Sequence, residues 1–368
     1  MKKVLFLLKV PPPVHGSTLM NKKVMESDLL RQYFNCHYFP LSISKDVSDI
    51  GRFSFRKFGK VVGSYISLFN TMRKFSPDVV YFALSPYGIA FVKDFLFILI
   101  IKIFGKKILF HLHGRGIREQ GQKNLLFHWM YLIVFKGNYA ICLSRELTDD
   151  VSPYLKDQFI IPNGIENYHN GSKTKVHSGS FTIAFLSNFI RSKGILDLIA
   201  ALAIVRQRGN AFGVSLIGKE GDVTMSELTD YIETLHLKDM VRHIGPLYDE
   251  QKYDALMKAD LFVFPTHYKN EAQPLVILEA MQCGLPVVST TEGAIPSLVD
   301  EGVTGSLIDR ADNNFKLADK VEFFIKNPDI SREMGLAGKK KFDKNYTLGI
   351  FEQNLVRVLN LVLDQNKN

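Results

Sequence analysis

The sequence predicts an α/β protein built from two doubly wound parallel sheets, and three observations carry that prediction. Short apolar runs bounded by turn residues recur along the chain. In the first half they are VLFLL (4–8), DVVYFAL (78–84), KILFHLH (107–113) and YAICLS (139–144). In the second half they are TIAFLS (182–187), GVSLIG (213–218), LFVFP (261–265) and PVVST (286–290). A run that is apolar at successive positions suits a strand covered on both faces, because its side chains alternate between two buried surfaces. Longer helix-patterned segments lie between the runs, as parallel strands joined by crossovers require. The polar stretch ENYHNGSKTKVHSGS (166–180) has no apolar period and divides the runs into two sets. Two Rossmann-like domains facing across a cleft are therefore expected, at 1–170 and 171–346. Residues 347–368 are expected to form a C-terminal helix that packs on either domain, a crossing back to the N-terminal one included.

Bulk properties narrow the function. A chain of 368 residues exceeds one ordinary core, and 46% hydrophobic with 23% charged residues is a globular composition, not a disordered one. The net charge of +9 is uneven: residues 1–180 hold 25 Lys/Arg against 12 Asp/Glu, and 181–368 hold 21 against 25. The first half is thus the one expected to meet an anionic surface. Cys36, Cys142 and Cys283 lie far apart with no CxxC pair, which fits a reducing compartment and no zinc site. The N-terminus MKKVLFLLKVPPP has five apolar residues between its lysines, too few for a secretory signal, and reads as a first strand. FLFILIIKIF (95–104) is ten residues long and contains Lys102, where a spanning helix needs about 20 apolar residues. A cytoplasmic protein without a membrane span is expected.

The most informative stretch runs from Ala259 to Asp309. A strand ends at Pro265, a polar loop follows, and a helix begins near Pro274 and continues through Met281. Glu271 and Glu279 stand eight apart across the helix start. A carboxylate one to two turns into that helix suits the two vicinal hydroxyls of a ribose, since it accepts from both. The backbone N–H groups of Gln273, Leu275 and Val276 offer an anion site for a diphosphate, and Pro274 suits a first helical turn. Spacing alone also fits a capping carboxylate and a solvated helix face.

The whole arrangement, E-x7-E within strand–loop–helix–strand and followed by GAIPSLVDEGVTG, resembles the signature of retaining glycosyltransferases of family 4. The resemblance is clear over roughly 180–346 and looser over 1–170. It implies the GT-B fold, a nucleoside-diphosphate-sugar donor held mainly by the C-terminal domain, and a glycan acceptor. By position, Glu279 would bind the ribose and Glu271 would sit at the donor sugar. FLSNFIRSKG (185–194) matches the family's turn with an Arg and a Lys on the diphosphate. Lys193 takes the Lys position; the Arg position is Asn188, and Arg191 lies between them as a substitute, or the site uses one cation plus N–H groups. A lysine at a helix start opposes the helix dipole, which argues for an anion beside it. PPPVHGSTLMN (11–21) matches the family's Gly-containing loop, with His15 at the first glycine and Gly16 left for close approach. In HLHG (111–114), His113 aligns with the family's cleft histidine near the donor sugar. Asn163 and Gly164 match the turn ending the N-terminal domain, and HIGPLYDEQ (243–251) places Gly245 beside the nucleobase. No Asp-x-Asp pair occurs, so no metal cofactor is expected.

Residues 52–75 place Phe58, Val61, Val62, Tyr65, Ile66, Phe69 and Met72 at helical spacing, with Arg52, Arg56, Lys57, Lys60, Arg73 and Lys74 at the ends. The plain reading is an amphipathic helix packed on the sheet. The sharper one adds an anionic membrane surface, met by 52–75 and by 95–107 with Lys102, Lys106 and Lys107, which favours a lipid-linked acceptor at the inner face of the membrane. No nucleic-acid module is present. The competing readings are a nucleotide-sugar epimerase and a non-catalytic nucleotide-sugar-binding or assembly subunit. Asn188 and the reduced glycine loop keep the latter open. A dinucleotide oxidoreductase lacks its GxGxxG.

Overall fold

The computed structural model describes residues 1–41, 55–168, 179–309 and 313–365, the side chains of 55–58 and 60 excepted. The chain divides into two compact units, Met1–Asn163 with Gly349–Asn368, and Gly164–Leu348. The division falls in the IPNGIE turn, just ahead of the polar stretch at 166–180. Most of that stretch lies outside the described residues.

The first unit holds β1 (Lys3–Leu8), β2 (Asn35–Pro40), β3 (Val79–Leu84), β4 (Lys107–Leu112), β5 (Tyr139–Cys142) and β6 (Gln158–Ile160). They form a parallel sheet in the order β2-β1-β3-β4-β5-β6. Its helices are α1 (Gly16–Glu26), α2 (Asp28–Tyr33), α3 (Phe55–Phe75), α4 (Gly88–Ile103), α5 (Ile117–Lys123), α6 (Leu125–Phe135) and α7 (Thr148–Val151). All six residues of β3, VVYFAL, are buried. β-branched and aromatic side chains suit a pleated surface packed on both sides.

The second unit holds β7 (Thr182–Leu186), β8 (Gly213–Ile217), β9 (Val241–His243), β10 (Leu261–Phe264), β11 (Val287–Thr290) and β12 (Gly305–Ile308). Its sheet, β12-β11-β10-β7-β8-β9, is again parallel throughout. The helices are α8 (Ile195–Gln207), α9 (Met225–Thr234), α10 (Asp249–Met257), α11 (Leu275–Gln282), α12 (Ile295–Leu298), α13 (Asn314–Lys326) and α14 (Pro328–Asn345). In α8, Ile195, Leu198, Ile199, Leu202 and Val205 recur at helical spacing and are fully buried. Each such side chain contributes about 1.5–3 kcal/mol of hydrophobic stabilisation. The last helix, α15 (Leu348–Gln365), joins the first unit from Gly349 onward. Its Phe351 ring stacks on His111 at 6.1 Å between centroids.

Each strand expected from an apolar run is present; β1 begins one residue earlier than its run, and the others are shorter by a residue or two. β2, β6, β9 and β12 were not expected, and each is an edge strand of its sheet. The expected stripe of α3 needs correction. Met72 is buried and Tyr65 half-buried, but Val62, Ile66 and Phe69 are exposed, and the buried contact is made instead by Leu68. Arg52 lies outside the described residues, as do the side chains of Arg56, Lys57, Phe58 and Lys60. Among the described residues no helix is long and apolar enough to cross a membrane.

Candidate active site

In each sheet the chain runs outward in two directions from an inner pair of strands, and such reversal points leave a crevice at the strands' carboxyl ends. In the second unit that pair is β7 and β10. The turn after β7 is a 3₁₀ turn, Arg191–Lys193, closed by Gly194 at φ +83°. The loop after β10 is tied to it: the His267 N–H donates to Ser192 O at 2.9 Å, and Thr266 Oγ1 donates to the same oxygen at 3.3 Å. Gly194 permits this approach, because a Cβ there would lie 2.1 Å from Pro265 O.

These ties bring Lys193 and Glu271 together. Lys193 Nζ lies 2.5 Å from Glu271 Oε2, with the two side chains 18% and 10% exposed. The ammonium also stands over the Tyr268 ring at 4.6 Å and the Phe264 ring at 5.7 Å, so aromatic faces and a carboxylate together hold the cation. The anion that the dipole argument places beside Lys193 is therefore Glu271 itself. An ammonium has three donors, and this pair uses one of them.

The helix that carries Glu279, α11, runs Leu275–Gln282 and has Pro274 as its N-cap, one position earlier than expected. No side chain caps it, and Leu275 and Val276 bring first-turn N–H groups to that end. The Gln273 side chain is buried. On the following loop, Ala294 N–H donates to Ala272 O at 2.7 Å, and a Cβ on Gly293 would meet Glu271 O at 2.3 Å. Only glycine at 293 lets the two main chains touch, which fixes the peptide that carries Glu271. Glu279 is paired with Lys252 of α10, Nζ to Oε1 2.7 Å. Burial pushes the Glu279 carboxyl above its ordinary value, and Lys252 pulls it partly back.

The other candidates of this unit are placed differently. Arg191 does not join Lys193: its guanidinium is 2.6 Å from Glu227 Oε1 on α9, and its N–H donates to Asp222 Oδ1 at 2.6 Å. Arg191 and Lys193 are thus held by different carboxylates, Glu227 and Glu271. Asn188 is exposed directly after β7. Gly245 follows β9 at φ +78°, and a Cβ there would meet nothing within 4 Å. The main-chain conformation selects that glycine, not a close approach within the chain.

In the first unit the reversal point lies between β1 and β3. Lys9, after β1, makes an ion pair with buried Asp94 of α4 at 2.6 Å, and Asp94 also accepts from Ser85 N–H after β3 at 2.9 Å. Gly16 is the exposed first residue of α1, with His15 as N-cap. His113 follows β4, and its ring lies 3.9 Å from that of His111. Among the described residues neither His113 nitrogen has a hydrogen-bond partner, although both are buried. Burial, then the nearby His15 and Lys9, lower its pKa to about 3, so the ring is neutral. Buried polar atoms are normally satisfied, and a ligand hydroxyl would suit these two.

The residues that sequence reasoning missed are Lys252, Tyr268, Gly293, Lys9 and Asp94. Gly293 had a signal, since it opens the GAIPSLVDEGVTG run that follows the strand at 286–290. Lys252 had none, since it lies 27 positions from Glu279 on another helix.

Residues 170–341 match the glycosyl transferases group 1 family. That stretch is a group 1 glycosyl transferase domain. The chain that carries it is a glycosyltransferase. Over 282 residues it is 26% identical to the capsular polysaccharide biosynthesis glycosyltransferase CapM of Staphylococcus aureus, covering 69% of this chain and 70% of that one. Sucrose-phosphate synthase from Thermosynechococcus elongatus aligns with TM-score 0.77 at 16% identity, over 99% of this chain and 100% of that one. Anabaena HepE, solved in complex with UDP, aligns with TM-score 0.76 at 19% identity, over 97% and 99%. The chain thus has the GT-B fold of these structures, two Rossmann-like units in one chain.

Proposed function

We propose that this glycosyltransferase moves a sugar from a nucleoside-diphosphate-sugar to a lipid-linked glycan acceptor in surface polysaccharide biosynthesis, with retention of anomeric configuration. One observation carries the reading: Lys193 and Glu271 meet at the reversal point of the second sheet, beside the free N-terminus of the helix that bears Glu279. A diphosphate there finds the two remaining Lys193 donors and the N–H groups of Leu275 and Val276, donors that need no divalent ion. Glu279 accepts from the ribose hydroxyls; a carboxylate has about four lone-pair sites, so Lys252 on Oε1 leaves capacity for both. As the nucleotide departs, negative charge grows on its phosphate and positive charge on the anomeric carbon. Lys193 and the N–H groups stabilise the first, Glu271 the second. Neutral His113 offers its unpaired nitrogens to sugar hydroxyls. CapM's name supports the polysaccharide setting, and HepE's UDP makes uridine the first base to try. The chain acts at the cytoplasmic face of the membrane, with residues 52–75 and 95–107 as its peripheral contact.

A thermal-shift panel of UDP, GDP, ADP, CMP and NAD, with and without EDTA, tests the donor site. One nucleoside diphosphate is expected to stabilise the wild type in both conditions, and the shift is expected to vanish in Glu279→Ala. A panel with no shift at all would sink the reading. Glu271→Gln separates transfer from mere binding: it should keep the shift and lose turnover.

The Lys252 pair gives a pH test. Glu279 binds ribose as the carboxylate, so affinity should fall as pH drops through its raised pKa. Lys252→Met removes the influence that lowers that pKa, so the decline should begin at higher pH. The effect on folding has the opposite sense: a raised folded-state pKa stabilises below the unfolded value and is lost as pH rises. Calorimetric titration of the nucleotide across pH checks this, and identical profiles would dismiss the role of Lys252.

A further inference from the structure

The outer surface of the first unit exposes large apolar side chains on two helices that pack together. On α4, Ile89, Val92, Leu96 and Ile103 lie along one solvent-facing stripe at helical spacing, with Ile89 90% and Ile103 75% exposed. On α6, which packs against α4, Leu125, Leu126, Trp129 and Ile133 do the same, with Leu125 72% and Trp129 59% exposed. The inward faces of both helices are apolar too, so each is hydrophobic nearly all round. That composition belongs to a helix covered on both sides.

The stripes end in cations. Lys102 Nζ donates to Lys136 O at 3.1 Å and Lys107 Nζ to Gly137 O at 2.8 Å, which gathers Lys102, Lys107 and Lys136 at the C-terminal ends of α4 and α6 beside Ile103. Among the described residues none of the three is paired with a carboxylate. Neither helix sequence contains an acidic residue except Asp94, which is buried on Lys9.

We infer that the α4–α6 face is a docking surface for an anionic lipid bilayer, with the apolar stripes entering the acyl boundary and the lysines meeting acidic headgroups. The inference rests on the membrane part of the reading above and adds the α4–α6 face to its two segments. An anionic bilayer supplies both things this face lacks, an apolar medium and a counter-charge. A second copy of the chain would cover the apolar area but would desolvate the lysines without partners. A tryptophan within the apolar stripe of a face that ends in lysines also suits the boundary between headgroups and hydrocarbon.

Trp129 is the chain's only tryptophan, so the full-length protein reports on this face without labelling. The protein is mixed with vesicles of equal phosphatidylglycerol and phosphatidylcholine, or of phosphatidylcholine alone, then floated on a density gradient. Flotation with the anionic vesicles and a blue shift of tryptophan emission are expected, both weaker with the neutral ones and at high salt. Leu126→Ser with Ile133→Ser, both exposed, should abolish the shift while leaving the melting curve unchanged. Lys136→Gln should lower partitioning about fivefold. Absence of flotation with anionic vesicles overturns the inference, as does binding indifferent to these variants. A blue shift that grows with protein concentration in buffer, with a dimer mass and no flotation, assigns the face to a second copy instead. The nucleotide panel on the same samples reads the donor site independently, so either reading can fail alone.

Discussion

Lys193→Ala is expected to lower kcat/KM by about 10²–10³, the loss of roughly 2.7–4 kcal/mol that follows removal of one fixed donor from developing charge. The variant also leaves Glu271 without its cation. Breaking a buried pair from one side costs about 3–5 kcal/mol, but both side chains here keep some contact with solvent, so the stability loss should fall below that range. The two effects can be separated. Lys193→Met combined with Glu271→Gln removes both charges together, so it should recover most of the melting temperature and none of the activity. If Lys193→Ala turned over at the wild-type rate, the cation would be a structural partner of Glu271 and nothing more. If the double variant melted as low as the single one, the pair would not be what stabilises the loop after β10.

How much of this was legible in the sequence depends on where each residue sits. The strands foreseen are central ones, packed on both faces and flanked on both sides, and their continuous apolar runs announce them. The strands missed are edge strands. β2, NCHYFP, alternates exposed with covered residues, and β9, VRH, is mostly exposed. β12, GSLI, opens with Gly305, whose Cβ would lie 2.0 Å from Val287 O, so the need for close approach set its composition. The site shows the same division. Glu271, Glu279 and Lys193 sit in local strand–turn–helix patterns whose chemistry depends on near neighbours in sequence. The Arg191–Glu227 and Lys252–Glu279 pairs depend on which helices pack side by side, which spacing along the chain does not encode. The α3 stripe failed for a third reason: helical periodicity reports that a face is apolar, not that anything covers it.

Gly194→Ala is expected to be the most damaging small substitution in the second unit, and Gly209→Ala is its matched control. Both glycines have φ +83°. A side chain in that region costs about 1–2 kcal/mol whatever surrounds it. At Gly209, just past the end of α8, a Cβ would meet nothing within 4 Å, so that cost should be the whole effect. At Gly194 the Cβ would lie 2.1 Å from Pro265 O and 2.7 Å from Pro265 C, main-chain atoms that cannot rotate away. Either the turn after β7 or the end of β10 must move. Moving β10 strains the bonds that bind Thr266 and His267 to Ser192, and the one from Thr290 Oγ1 to Thr266 O at 2.5 Å. A loss above about 4 kcal/mol is expected for Gly194→Ala, in the range reserved for such main-chain conflicts. For a unit of this size that is a melting shift of roughly 10 °C or more, against about 2–8 °C for Gly209→Ala. Nucleotide stabilisation should vanish in the first variant and persist in the second, because the same contact sets Lys193 against Glu271. Equal shifts in the two variants would mean that the left-handed conformation alone selects glycine at 194, and that the crossing of the two loops does not hold the site.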